Sequence, residues 1–345
     1  MRKKDVLFKI SCCAFLFSIM ALPGCTGESG GVIDHQASGV QASEDTSQTE
    51  DMSKAENMSQ TEEAPAEKIT QTEESTDLIQ KEAVEPMITE VDWSNYFEEI
   101  NGAAVIYDPT ENGYQIYNQE LALTRRSPCS TFKIISSLIA LENGIIEPDH
   151  STRIWSGEVF WNEDWNQDIN FSDAFHASCV WYFREVIDEI GKDRMQDELN
   201  ELQYGNCDIS DWNGELNTNN NNPALTGFWI ESSLLISPKE QTEVIERIFG
   251  DETNYSEETR NQLKQVMLLS EPVGSDILIY GKTGMGMSYG IVVDSWFTGF
   301  ADTPEKRIYF CVYLGETENK DVSSAKAREI AIEIVSAYLN ESATL

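Results

Sequence analysis

The sequence predicts an α+β fold: one antiparallel sheet built from both ends of the folded part, with flanking helices and a helical lobe between. Three observations carry that prediction. β-type runs cluster near residues 103–117 and again near 277–314. The stretch between them carries helical periodicity. Every aromatic residue past Phe17 lies after residue 90, so an apolar core can only be built there. The roughly 255 residues of that region suit one large domain or two intimately packed lobes.

The elements follow in order. Residues 103–107 and 114–117 are β-type runs joined by Asp108-Pro109-Thr110-Glu111-Asn112-Gly113, a hairpin signal. Residues 134–142 are an apolar run closed by Asn143-Gly144 and read as a buried helix. Further helices are predicted over 178–190, stopped by Gly191, and over 193–202, 238–248 and 256–269. Strand character returns at 277–280, 294–301 and 307–314, and an amphipathic helix over 323–339 closes the chain.

Ahead of the domain at 91–345 lie two segments of another kind. Residues 1–25 read as a signal peptide: Arg2, Lys3, Lys4 and Lys9 lead into an apolar core too short to span a bilayer. It ends in Leu22-Pro23-Gly24-Cys25, the pattern of a bacterial lipobox, which makes Cys25 the expected lipidation site. Ordinary cleavage nearby, giving a free secreted protein, is the alternative. Residues 26–90 hold sixteen Asp/Glu against three Lys and no aromatic residue. Such a stretch cannot bury enough apolar surface to offset its chain entropy and reads as an acidic, disordered spacer. The expectation is an exported lipoprotein on the extracytoplasmic face of the bacterial membrane.

A formal net charge of −36 argues against nucleic acid as a partner. No H-E-x-x-H or paired C-x-x-C pattern is present, so no metal centre is expected. Of three histidines His35 falls in the spacer, and there is no G-x-S-x-G elbow, so a Ser-His-Asp triad is poorly supplied. Cys129, Cys179, Cys207 and Cys311 read as buried thiols, with one disulfide left open.

The chemistry concentrates in Ser130-Thr131-Phe132-Lys133. Positions i and i+3 share a helix face, so Lys133 can reach Ser130 from one turn below. A serine hydroxyl needs a base to become a nucleophile, and here the base sits in the same turn. An S-x-x-K alone recurs by chance, and a helix-capping serine with an exposed lysine is the simpler reading. Three later patterns change that balance by their order. Ser178-Cys179-Val180 offers a second hydroxyl at a helix start. Tyr204-Gly205-Asn206 sits in a turn, and Lys282-Thr283-Gly284 follows a β run where glycine allows close backbone approach.

Together with Phe228-Trp229-Ile230-Glu231, Ser237-Pro238 and Trp296-Phe297-Thr298-Gly299, these segments resemble the class D (oxacillinase-type) serine β-lactamases. That family lies within the penicillin-binding, transpeptidase-like superfamily, and the resemblance covers residues 101–339. It implies a β-lactamase hydrolysing the β-lactam amide of penicillin-type antibiotics through an acyl-enzyme on Ser130. It implies that carbon dioxide or bicarbonate carboxylates Lys133, which then acts as general base for acylation and deacylation. No other cofactor is implied. Phe132, Val180 and Trp229 would form the pocket around that group, and Ser178 would pass a proton to the leaving nitrogen. Backbone N–H groups of Ser130 and Met285 would form the oxyanion hole. Lys282, Thr283 and Gly284, with Tyr204 and Asn206, would bind substrate. An additional carboxylate-binding residue should fall at Lys326 or Arg328, and the asparagine-rich 213–224 looks like an insertion. A penicillin-sensing domain that acylates without turnover, or a cell-wall DD-peptidase, are the alternatives. The oligomeric state and the range of β-lactams stay open.

Overall fold

The computed structural model describes residues 85–214, 222–269, 276–317 and 322–342. Their elements run β1 Met87–Glu90, α1 Ser94–Phe97, β2 Gly102–Asp108, β3 Gly113–Tyr117, α2 Gln119–Ala122 and α3 Lys133–Glu142. Then come α4 Phe171–His176, α5 Val180–Ile190, α6 Lys192–Glu201, α7 Pro238–Phe249 and α8 Glu257–Met267. β4 Leu278–Ser288, β5 Ile291–Asp302, β6 Arg307–Gly315 and α9 Ser324–Ser342 close the fold.

The described strands form a single sheet in the order β1-β3-β2-β6-β5-β4. Strand β2 from one chain end pairs antiparallel with β6 from the other, Ala104 facing Val312 and Ile106 facing Phe310. The expected α+β architecture with a sheet from both ends therefore holds. Two details depart from the sequence reading. The edge strand β1 pairs parallel with β3, which makes the sheet mixed at that edge. It also begins at Met87, so the domain's sheet takes in residues that the reading assigned to the spacer. All four β1 residues are exposed, and with no buried face there was no alternating pattern to betray a strand.

Alternation on β5 and β6 sorts the two cores. Phe297, Ala301, Ile308, Phe310 and Val312 face α9, whose Ile330, Ala331, Ile334 and Val335 complete one apolar layer. Phe300 and Tyr309 face the other way and join the large helical core of α3, α5, α7 and α8. Strand β4 runs through Lys282-Thr283-Gly284 to Ser288, well past the predicted 277–280. Its three glycines, which depress strand propensity, hid that extension. Helix α7 starts where Ser237-Pro238 signalled: Ser237 and Glu240 form a capping box with Pro238 at the first turn. The signal peptide, Cys25 and most of the spacer lie outside the described residues, as do residues 215–221 of the asparagine-rich segment.

Candidate active site

Ser130 stands in a 3-10 turn, Cys129–Phe132, that leads into α3. Cys129 before it has a positive φ of 49°, a left-handed conformation that a side chain adopts at a cost and that kinks the chain ahead of the serine. Lys133 is 1% exposed and its Nζ lies 3.0 Å from Ser130 Oγ. Around it stand Phe132, fully buried, and the Phe183 ring, 5.4 Å from Nζ. Burial disfavours the ammonium and lowers the amine to about 8. The simpler reading of a capping serine with an exposed lysine is thereby excluded.

The turn is tied down by chain segments far away in sequence. The Trp229 carbonyl accepts from the Cys129 N–H at 2.9 Å and from the Ser127 hydroxyl at 3.1 Å. Ser127 Oγ in turn accepts the Glu231 N–H at 2.8 Å, and its carbonyl accepts Trp296 Nε1–H at 3.0 Å. Gln241 Nε2 donates to Thr131 Oγ1 at 2.8 Å. From below, β4 presses on the turn. A Cβ at Gly284 would come within 2.9 Å of the Pro128 carbonyl oxygen and 3.2 Å of the Thr131 nitrogen. One at Gly286 would meet Cys129 Sγ at 2.9 Å. Both glycines are needed for contact rather than for their own backbone freedom.

Ser178 has a φ of 55° and is not the helix cap; Cys179 takes that place on α5. Its hydroxyl faces Lys282, whose Nζ lies 3.1 Å from Ser178 Oγ, 3.2 Å from the Thr283 carbonyl and 3.4 Å from Thr283 Oγ1. Ser178 and Lys282, distant in sequence, are thus one hydrogen-bonded unit. Lys282 is buried and forms no ion pair among the described residues. Burial, and then the charge on Lys133, hold its amine well below the ordinary value. An incoming carboxylate would supply the missing counter-charge. Thr283 is half-buried, Gly284 buried and Met285 exposed on the same strand.

Trp229 is buried with its ring stacked on Phe132 at 6.1 Å, and Val180 packs against the same cluster. Sequence reasoning missed two more tryptophans. Trp165 Nε1 donates to the Ala177 carbonyl at 3.0 Å, and Trp181 Nε1 donates to the Trp165 carbonyl at 2.9 Å. They brace the backbone that presents Ser178, and the only sequence signal was their nearness to the S-x-V segment, which Trp181 directly follows.

Two expected substrate ligands are corrected. Tyr204 is fully buried, edge-on to Phe132 at 5.6 Å, and its hydroxyl interacts with the Thr131 and Gln241 side chains. Asn206 donates to the Ser233 carbonyl at 2.8 Å and accepts the Leu235 and Asp208 N–H groups. Both belong to the scaffold that fastens the 203–207 turn to the 231–236 loop. Gly205 between them sits where a Cβ would fall 2.0 Å from the Leu235 carbonyl oxygen. Lys326 pairs with Glu329 at 3.2 Å and Arg328 is exposed on α9; no hydrogen bond or ion pair joins either to Lys282 or Thr283. The four cysteines of the domain are free thiols.

A nucleophile with a buried lysine in the same turn, beside a serine–lysine pair on a sheet edge, is an acyl-transfer geometry. Comparison with known proteins agrees. A model of the penicillin binding protein transpeptidase domain matches residues 102–336. Regulatory protein BlaR1 of Bacillus licheniformis is 31% identical over 247 residues, 71% of this chain but only 38% of that protein's length. The probable beta-lactamase YbxI of Bacillus subtilis is 29% identical over 73% of this chain and 86% of its own. Among solved structures, the class D beta-lactamase from Bacillus subtilis superposes with a TM-score of 0.62 at 29% identity, over 72% of this chain and 95% of that one. The C-terminal domain of the Bacillus licheniformis BlaR penicillin-receptor gives 0.64 at 28% identity, over 74% and 98%.

Proposed function

This chain belongs to the penicillin-binding protein transpeptidase-domain family, and from that premise we propose that it is a serine β-lactamase of the class D kind. The observation that carries the proposal is Lys133: buried among apolar and aromatic groups, depressed to about 8, and 3.0 Å from Ser130 Oγ. A lysine in that setting has a usable neutral fraction near neutral pH, which both direct base catalysis and reaction with carbon dioxide require. Carboxylated by carbon dioxide, its side chain would supply an anionic base. The Phe132, Val180 and Trp229 surround fits such a group, since the Trp229 indole N–H is a donor in an otherwise apolar wall.

In this reading Ser130 Oγ gives its proton to the Lys133 side chain and bonds to the lactam carbonyl carbon. The oxyanion is received by the Ser130 and Met285 N–H groups. As the ring C–N bond breaks, Ser178 hands a proton to the departing nitrogen and Lys282 replaces it. The proton that Lys133 took from Ser130 passes on to Lys282, which leaves the Lys133 side chain free again. Lys282 and Thr283 hold the substrate carboxylate. A water then gives its proton to the Lys133 side chain and attacks the acyl carbon, and that proton returns to Ser130 Oγ as the acyl bond breaks. The neighbouring segments complete the picture: a signal peptide ending at Cys25, a lipid anchor there, and an acidic spacer holding the domain off the outer face of the membrane.

A sensing role is the second reading, favoured by the similarity to BlaR1. Val180 favours the hydrolase. An amide at that position would hydrogen-bond the lysine and hold its proton, which is also why a DD-peptidase ranks third. The test is to mix the full chain with excess benzylpenicillin, with and without bicarbonate, and follow turnover and intact mass. Many turnovers per chain, raised by bicarbonate, are expected, with Lys133→Ala accumulating the acyl-enzyme. A single stable adduct on Ser130 without turnover would replace the hydrolase with the sensor.

A further inference from the structure

Arg184 on α5 is 8% exposed, an unusual place for a guanidinium. Its charge is met by Asp188 one turn along, which is half-exposed and screened by solvent. Its Nη1 donates to the Trp212 carbonyl at 2.9 Å. Two indoles pack against it: the guanidinium carbon lies 5.4 Å from the Trp212 ring and 5.5 Å from the Trp229 ring. Trp229 stacks on Phe132, beside Lys133, and Trp212 stacks on Phe228 at 5.1 Å. A chain of contacts thus runs from Trp212 through Arg184 and Trp229 to Phe132. Of the two long cationic side chains only arginine offers a planar cation to pack between the indoles.

We infer that Arg184 is a positioning residue for the Lys133 base, acting by fixing the plane of the Trp229 indole. Its helix also starts directly after Ser178 and Cys179, so the same clamp joins the proton-passing serine to the wall of the lysine pocket. A Cβ at Gly227 would lie 2.0 Å from the indole, so backbone as well as guanidinium crowds the ring. The inference rests on the carboxylated-lysine reading above. Loosening the indole should weaken retention of carbon dioxide on Lys133 and leave the rest of the site intact.

The test compares the full chain with Arg184→Met and Arg184→Lys; the lysine variant keeps the cation but not the planar face. Two quantities are measured: the 13C signal taken up from labelled bicarbonate, and penicillin turnover across a bicarbonate series. Arg184→Met is expected to need about tenfold more bicarbonate for half-maximal label and turnover, the size of one lost cation–π contact. It should regain the parent's rate at saturating bicarbonate, with Arg184→Lys behaving alike. Should Arg184→Met not fold, the lysine variant carries the test alone. Equal bicarbonate requirement in variant and parent overturns the inference. So does a rate loss that bicarbonate cannot restore, which would make Arg184 a purely structural clamp. A parent that takes up no label overturns the carboxylated-lysine reading itself, and that result is visible before any variant is made.

Discussion

Replacing Lys133 by methionine is expected to stabilise the protein at neutral pH while abolishing turnover. Burial lowers the amine from 10.5 to about 8, so below pH 8 the folded state carries a proton that the unfolded chain holds far more tightly. At about 1.4 kcal/mol per pH unit, that protonated lysine costs the fold about 3 kcal/mol at pH 7. The hydrogen bond to Ser130 Oγ returns about 1 kcal/mol. Methionine fills a similar volume without a charge, so the net gain is about 2 kcal/mol, or about 4–8 °C in Tm. The sign follows from a base whose folded-state value is depressed. The penalty is complete below the folded value and fades as pH rises toward the unfolded one, where neither state keeps the proton. The advantage of Lys133→Met must therefore shrink between about pH 8 and pH 10.5. Urea unfolding of both proteins in degassed, bicarbonate-free buffer across that range measures it. A Lys133→Met protein less stable than the parent at pH 7, or a stability difference indifferent to pH, refutes the reasoning.

Three further outcomes follow from contacts at the site. Gly284→Ala pushes a methyl against the Pro128 and Thr131 backbone, so stability should fall by about 1–3 kcal/mol and kcat/KM for a chromogenic cephalosporin by about tenfold or more. Melting and steady-state kinetics on one preparation check both. Tyr204→Phe removes a buried hydroxyl beside Thr131 and Gln241 but no group that faces substrate, so stability should change by about 1 kcal/mol at most and turnover stay within about twofold. A large rise in KM would restore Tyr204 as a substrate ligand. Ser178→Ala should slow acylation by about 10²–10⁴, the usual span for a proton-transfer group. Stopped-flow acylation reads this directly, and parent-like rates would take Ser178 out of the proton path.

What was legible in the sequence was chiefly chemistry on regular elements. Ser130 and Lys133 could be paired because helical spacing alone sets their proximity, and the structure puts them 3.0 Å apart. The Ser178–Lys282 contact could not be derived that way, since it joins residues 104 positions apart through tertiary packing. The Y-G-N turn misled for a related reason. Polar residues near a nucleophile invite a ligand role, yet burial and backbone hydrogen bonds decide it, and neither is written in local order. Strand β4 was read short because its glycines serve contact with the nucleophile turn, a demand opposed to strand propensity. Edge strand β1 was missed because exposed strands leave no hydrophobic alternation.

The bracing of the nucleophile turn has a kinetic consequence. Residues 127–131 are held by Trp229, Glu231, Gln241, Gly284 and Trp296, so every clamp on the serine comes from a region about 100 residues or more downstream. Loops of that size close late, because their entropy must be spent before any contact repays it. During refolding, helical signal should therefore return before penicillin acylation does. The reactive serine comes into being only once the last strands have docked, so acylation competence reports completion of the whole domain.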